Sequence, residues 1–137
     1  MAAISELIRT EENGTISFGD YTLGAKAKLD NYDFKGDMYK VKTFKEITKL
    51  ERNGLFVYES VPGTAVNQFK QDENTVEFGV EGAEDAQITL ELAEETEYEI
   101  VIDGKSAGTM KTNLGGKLSF SVELEDADVV AVKVEKK

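Results

Sequence analysis

Apolar and polar residues alternate with a period of two along most of the chain. Ile16 and Phe18 alternate with Thr15 and Ser17, Tyr39, Val41 and Thr43 with Lys40 and Lys42, and Val76, Phe78 and Val80 with Glu77 and Gly79. The same pattern carries Ile88, Leu90 and Leu92, then Tyr98, Ile100 and Ile102, then Leu118, Phe120, Val122 and Leu124, and it closes on Val130, Val132 and Val134. Successive side chains of a strand point to opposite faces, so each run lays its apolar residues on one face. Strands buried on one side only belong to antiparallel sheets, because parallel sheets are covered on both faces. The pattern predicts an all-β protein with at least nine strands and under about 10% helix.

Asn, Asp and Gly residues punctuate these runs. Asn53-Gly54 accepts positive φ at both positions, which predicts a two-residue hairpin turn that would set Leu50 across from Val57. Asp103-Gly104 repeats the signal, leading into Ser106–Thr112. Asn113-Leu114-Gly115-Gly116, Glu125-Asp126-Ala127-Asp128 and NYDFKGD (31–37) read as loops. Two stretches have a weak helical signature. Ser5–Ile8 reads as a short N-terminal turn, and Phe44, Ile47 and Leu50 sit at i, i+3, i+6, where Thr48 and the following turn favour a strand. The last part of the chain holds about five strands at hairpin spacing, as in an immunoglobulin-like sandwich. The fold expected is an antiparallel β-sandwich whose C-terminal part is immunoglobulin-like. By length it is one domain, 1–137, with 1–83 and 84–137 as its two parts.

Composition removes most catalytic chemistry. The chain has no Cys, His or Trp, so it lacks an imidazole base, a thiolate nucleophile and nitrogen or sulfur ligands for zinc. No S-x-x-K and no phosphate-cradling glycine loop occurs. A net charge of −11 is unevenly placed: residues 1–68 carry 9 basic and 10 acidic groups, residues 69–137 carry 7 and 17. Residues 26–52 hold eight Lys and Arg against five acids, while Gln71–Gly104 holds 12 carboxylates and no base. That field opposes nucleic acid and anionic lipid. It also makes the molecule a dipole if the two regions face apart, which favours a homo-oligomer joined at strand edges, either Lys40–Lys42 or the N-terminal segment. A larger protein or a glycan is the alternative partner. The start, MAAISELIRTEENG, lacks the cationic and apolar stretches of a signal peptide, and no run reaches a membrane span. A cytoplasmic protein is expected, with export lacking a cleaved signal left open.

Two resemblances add to this reading. The segment TEYEIVIDGKSAGTMKTNLGGKLSFSVEL (96–124) resembles small β-modules at the ends of polysaccharide-degrading enzymes, in which a Y-x-V-x-V-D-G strand and a T-N-x-x-G-x-L-x-F-x-V strand recur. The segments YKVKTFKEITKLERNGLFVYESVPGTAV, EGAEDAQITLEL and MKTNLGGKLSFSVEL resemble a group of small acidic proteins of anaerobic Gram-positive bacteria sometimes labelled endosialidase. The residues argue against that label. A sialidase clamps the sialic-acid carboxylate with three arginines, and this chain has only Arg9 and Arg52. Its six-bladed propeller of four-stranded blades cannot fit into 137 residues.

Three sets of residues could carry chemistry. Glu59, after Tyr58 at the end of an apolar strand and near Pro62, is the carboxyl whose burial would suit a general acid, though its plainer reading is a solvated strand end before a Val-Pro-Gly turn. No cofactor is expected; calcium is the alternative, at Asp30, Asn31, Asp33 and Asp37 around Gly36, which do not match the EF-hand spacing, and Glu84-Asp85 and Asp126/Asp128 are further oxygen clusters. Solvated acidic turns account for them as well. Tyr32 and Phe34 are the pair expected to form an exposed platform for a sugar ring, with Tyr58 beside Glu59 as a second contact; core aromatics are the alternative. The function expected is a non-catalytic β-sandwich module that binds or assembles. The alternative is a glycan-active enzyme working through carboxylates, or a carbohydrate-binding module.

Overall fold

In the computed structural model, which describes residues 4, 6–125 and 128–137, the alternating runs become thirteen strands with no helix among the described residues. They are β1 (Ile8–Thr10), β2 (Ile16–Phe18), β3 (Ala27–Phe34), β4 (Asp37–Phe44), β5 (Ile47–Arg52), β6 (Leu55–Val61), β7 (Ala65–Gln71), β8 (Thr75–Glu81), β9 (Ala86–Glu91), β10 (Glu97–Ile102), β11 (Lys105–Lys111), β12 (Lys117–Val122) and β13 (Val130–Lys136). Every pairing is antiparallel. A seven-stranded sheet runs in the order β1-β2-β7-β8-β13-β10-β11, and a six-stranded sheet in the order β12-β9-β6-β5-β4-β3. The two pack as a β-sandwich, the expected class. Pairings β8–β13 and β6–β9 cross residue 83, so each sheet mixes strands from both parts of the chain.

The apolar faces meet in one cluster. Phe18, Phe69 and Phe78 reach in from the seven-stranded sheet and Tyr58 from the other, with ring centroids 5.3 Å apart for Phe18–Tyr58 and 5.7 Å for Tyr58–Phe78. Edge-on contacts of this kind add to burial itself, which stabilises by ~1.5–3 kcal/mol per large side chain.

Asn53-Gly54 makes the expected hairpin, with φ of 52° and 80°. The register beyond it differs from expectation. Leu50 pairs with Tyr58, because a bulge between Leu50 and Glu51 leaves Val57 as an extra residue on β6. The bulge turns two consecutive residues inward, and Val57 and Tyr58 are both buried. NYDFKGD is not a loop: its first four residues end β3, Asp37 starts β4, and only Lys35-Gly36 forms the turn, with φ of 53° and 87°. Lys40–Lys42 is no sheet edge, since β3 covers β4 on that side, whereas β1 does end the other sheet. The turn expected at Ser5–Ile8 falls partly outside the described residues through Ser5, and Ile8 itself begins β1.

Candidate functional site

The residues singled out in the sequence do not gather into one site. Tyr32 and Phe34 are no exposed platform; both are half-buried and pack against the core. Tyr32 hydrogen-bonds Thr10 through its hydroxyl at 2.7 Å, and the Phe34 ring meets Tyr39 edge-on at 5.9 Å. Alternation places them there, because they share the inward face of β3. Tyr58 is fully buried, with its hydroxyl 2.8 Å from Thr64 Oγ1, which lies 2.8 Å from Ser60 Oγ. Thr64 is held in turn by Thr48, whose hydroxyl donates to the Thr64 carbonyl at 2.8 Å. This satisfied network belongs to the core and offers nothing to a ligand; burial raises the Tyr58 hydroxyl far above the usual tyrosine range.

Glu59 is not at a strand end. It lies within β6, half-buried on the outer face, in register between Lys49 and Thr89. Asp30, Asp33 and Asp37 do not converge. Asp33 accepts from the Gly36 amide at 3.3 Å, Asp37 accepts from Asn53 Nδ2 at 3.0 Å, and Asp30 is exposed on β3. Among the described residues no group of three or more acids is placed to hold a metal. Asp85 accepts from the amides of Leu124 and Glu125 at 2.9 and 3.1 Å, which is a loop-closing role, and Asp126 lies outside the described residues.

Two other surfaces have the makings of a site. The first is a groove of about 750 Å³ on the outer face of the seven-stranded sheet. Its floor is low because Gly79 and Ala131 stand side by side on β8 and β13, with Asn67 next in register on β7. A Cβ at Gly79 would lie 2.7 Å from Val129 Cγ1, so glycine lets Val129 close over β8 at one side. The neighbouring row, Lys70–Glu77–Lys133, forms a second side, where Lys133 lies 3.8 Å from Glu77.

The third wall comes from the β1–β2 hairpin. Glu11 accepts from Arg9 Nε at 3.0 Å and from the Ser17 hydroxyl, and Ser17 Oγ accepts from the Gln68 amide at 2.9 Å. This chain of bonds holds Gln68 at φ 54° in the β7 bulge, a left-handed conformation that non-glycine residues seldom adopt. The Ser17 hydroxyl, and then Arg9, keep the Glu11 carboxyl below its ordinary range. Asn67 Nδ2 is buried with no hydrogen-bond partner among the described residues.

The second surface is the outer face of β3, β4 and β5. Lys28, Lys42 and Lys49 stand directly opposite one another across the three strands, and Lys40 lies two residues along β4. Like charges in register repel, so this row opposes the sheet that carries it. Lys49 reaches Glu51 at 3.5 Å, while Lys28, Lys40 and Lys42 make no ion pair among the described residues. Desolvation, joined by the charges of Lys26, Lys49, Lys28 and Lys40, holds the Lys42 ammonium below the usual lysine range. Phe44 and Phe56 are half-buried on the same face, under Lys26 at 6.0 Å and under Lys117 at 4.7 Å.

Sequence reasoning passed over both surfaces. Gly79 on the polar face of an otherwise regular run was the available signal for the groove, since a strand glycine marks close approach. The lysine row needs β3 in register with β4, which reading residues 31–37 as a loop concealed. Set against known proteins, the chain matches no family model, no curated protein and no solved structure.

Proposed function

We propose that the protein is a non-catalytic β-sandwich binding module whose ligand, a neutral saccharide, lies in the groove of the seven-stranded sheet. The groove itself carries the reading: about 750 Å³ falls within the ~300–1,000 Å³ typical of small-molecule sites. Gly79, Ala131, Val101 and Val129 give it an apolar floor suited to the C–H face of a sugar ring. Asn13, Asn67, Gln68, Lys70 and Glu77 give it donors and acceptors in mixture. Hydroxyl groups both donate and accept, so a polyol meets such a rim without needing net charge.

Binding without cleavage fits the state of Glu11 at the groove. Glycoside hydrolysis by two carboxyl groups needs one that stays protonated at working pH, and Glu11 is pulled the opposite way. Calorimetric titration with gluco-, xylo- and manno-oligosaccharides tests the proposal, with Ala131→Trp filling the floor from an exposed position. At least one sugar should bind the native protein, and the variant should lose it while keeping its circular dichroism spectrum. No binding by any sugar, or binding indifferent to Ala131→Trp, would contradict the reading.

A further inference from the structure

The lysine row on the six-stranded sheet is at odds with its surroundings. A chain of net charge −11 places four lysines on the outer faces of three adjacent strands, three of them in direct cross-strand register. We propose that this face is a second binding surface, separate from the groove, and that it takes a linear anionic polysaccharide.

Geometry sets the length and chemistry of the contact. Neighbouring strands lie ~4.8 Å apart, so Lys28, Lys42 and Lys49 span roughly 10 Å across the sheet, and Lys40 stands about 7 Å along β4 from Lys42. The row ends at Glu59, next in register after Lys49, where a negative charge stops an anionic chain from continuing. A bound anion gives Lys28, Lys40 and Lys42 the ion-pair partners they lack among the described residues and offsets the mutual repulsion of lysines set in register. Lysine is a point charge on a flexible stem rather than a fixed fork, so it meets a carboxylate or sulfate without demanding one orientation.

Aromatic rings choose among polyanions. Phe44 and Phe56 lie half-exposed on this face, covered by Lys26 and by Lys49 and Lys117 respectively; when these flexible stems turn to a bound anion, the apolar face of a sugar ring stacks in their place, whereas poly-glutamate has no such face to offer. A polynucleotide needs a long run of phosphate contacts, and beyond these three strands it would run along a chain that is acidic overall. A short anionic glycan stretch meets the cations and the rings together.

The test compares polygalacturonate, dextran sulfate, neutral dextran, poly-glutamate and single-stranded DNA in biolayer interferometry at low ionic strength. Polygalacturonate or dextran sulfate should bind, neutral dextran should not, and poly-glutamate and DNA should bind at least tenfold more weakly. Lys42→Gln, which removes a repulsion and so keeps the fold, should weaken the anionic glycan at least tenfold. Ala131→Trp should leave that binding unchanged, which separates this surface from the groove. The proposal is overturned if neither anionic glycan binds, if poly-glutamate or DNA binds as tightly, if Lys42→Gln has no effect, or if Ala131→Trp abolishes the binding.

Discussion

Glu81 and Glu11 show how the same carboxyl group is driven in opposite directions by its surroundings. Glu81 is 3% exposed with no hydrogen-bond partner for Oε1 among the described residues, and burial, joined by the negative charge of Asp128, raises its pKa above the ordinary 4.5. The folded state then binds a proton that the unfolded state releases, so stability falls as pH rises from 4.5 through the raised value. Glu81→Gln should therefore stabilise at pH 7, by about 1 kcal/mol, with the gain shrinking towards pH 4.5; urea unfolding at the two pH values measures it. An equal effect at both would mean that the charge of Glu81 is not what the fold opposes. Tyr58→Phe removes one member of a buried hydroxyl network and should cost about 0.5–1.5 kcal/mol, with sugar binding unchanged. The burial of Tyr58 was not legible in the sequence. Alternation alone cannot turn both Val57 and Tyr58 inward, and the β6 bulge that does so leaves no mark in residue types.

Strands with uninterrupted alternation were readable in full. The runs at Val76–Val80, Ile88–Leu90, Tyr98–Ile102, Leu118–Val122 and Val130–Val134 all became strands with their apolar residues inward. Two of those that were missed carry bulges, while β1, read as part of a short turn, is only three residues long and in unbroken register. β3 shifts register between Leu29 and Tyr32 and β7 between Asn67 and Lys70, so their apolar residues fall out of step with a period of two. Lys35-Gly36 also lacks the Asn or Asp that makes a tight turn conspicuous. At this scale Phe120 is the sharpest probe of packing. It is 8% exposed on β12, at the edge of the six-stranded sheet. Phe120→Ala should cost ~3–5 kcal/mol, towards the lower end because an edge strand relaxes more easily. A loss under 1 kcal/mol in chemical denaturation would mean that the edge adds little to the core.

Across the whole molecule, the two sheets share a core and turn different outer faces to solvent. The lysine-bearing strands β3, β4 and β5 form one end of the six-stranded sheet, while β8, β9 and β10, from the acidic stretch, lie in the other sheet or beyond β6. The charge asymmetry was plain in the sequence, but its placement depends on strand order, which no local pattern encodes. The groove is equally a property of the assembled sheet. Asn67 and Gly79 face each other across the β7–β8 hairpin, but Ala131 comes from β13, far along the chain, and joins them only when β8 and β13 pair.

Amide chemical-shift mapping of the native protein, titrated in turn with the neutral oligosaccharides, tests the groove most directly. The account predicts saturable shifts centred on Asn67, Gly79, Ala131 and Gly104, with β3, β4 and β5 unmoved. Shifts confined to the lysine face or to the ends of the sandwich, or none with any sugar, would contradict it.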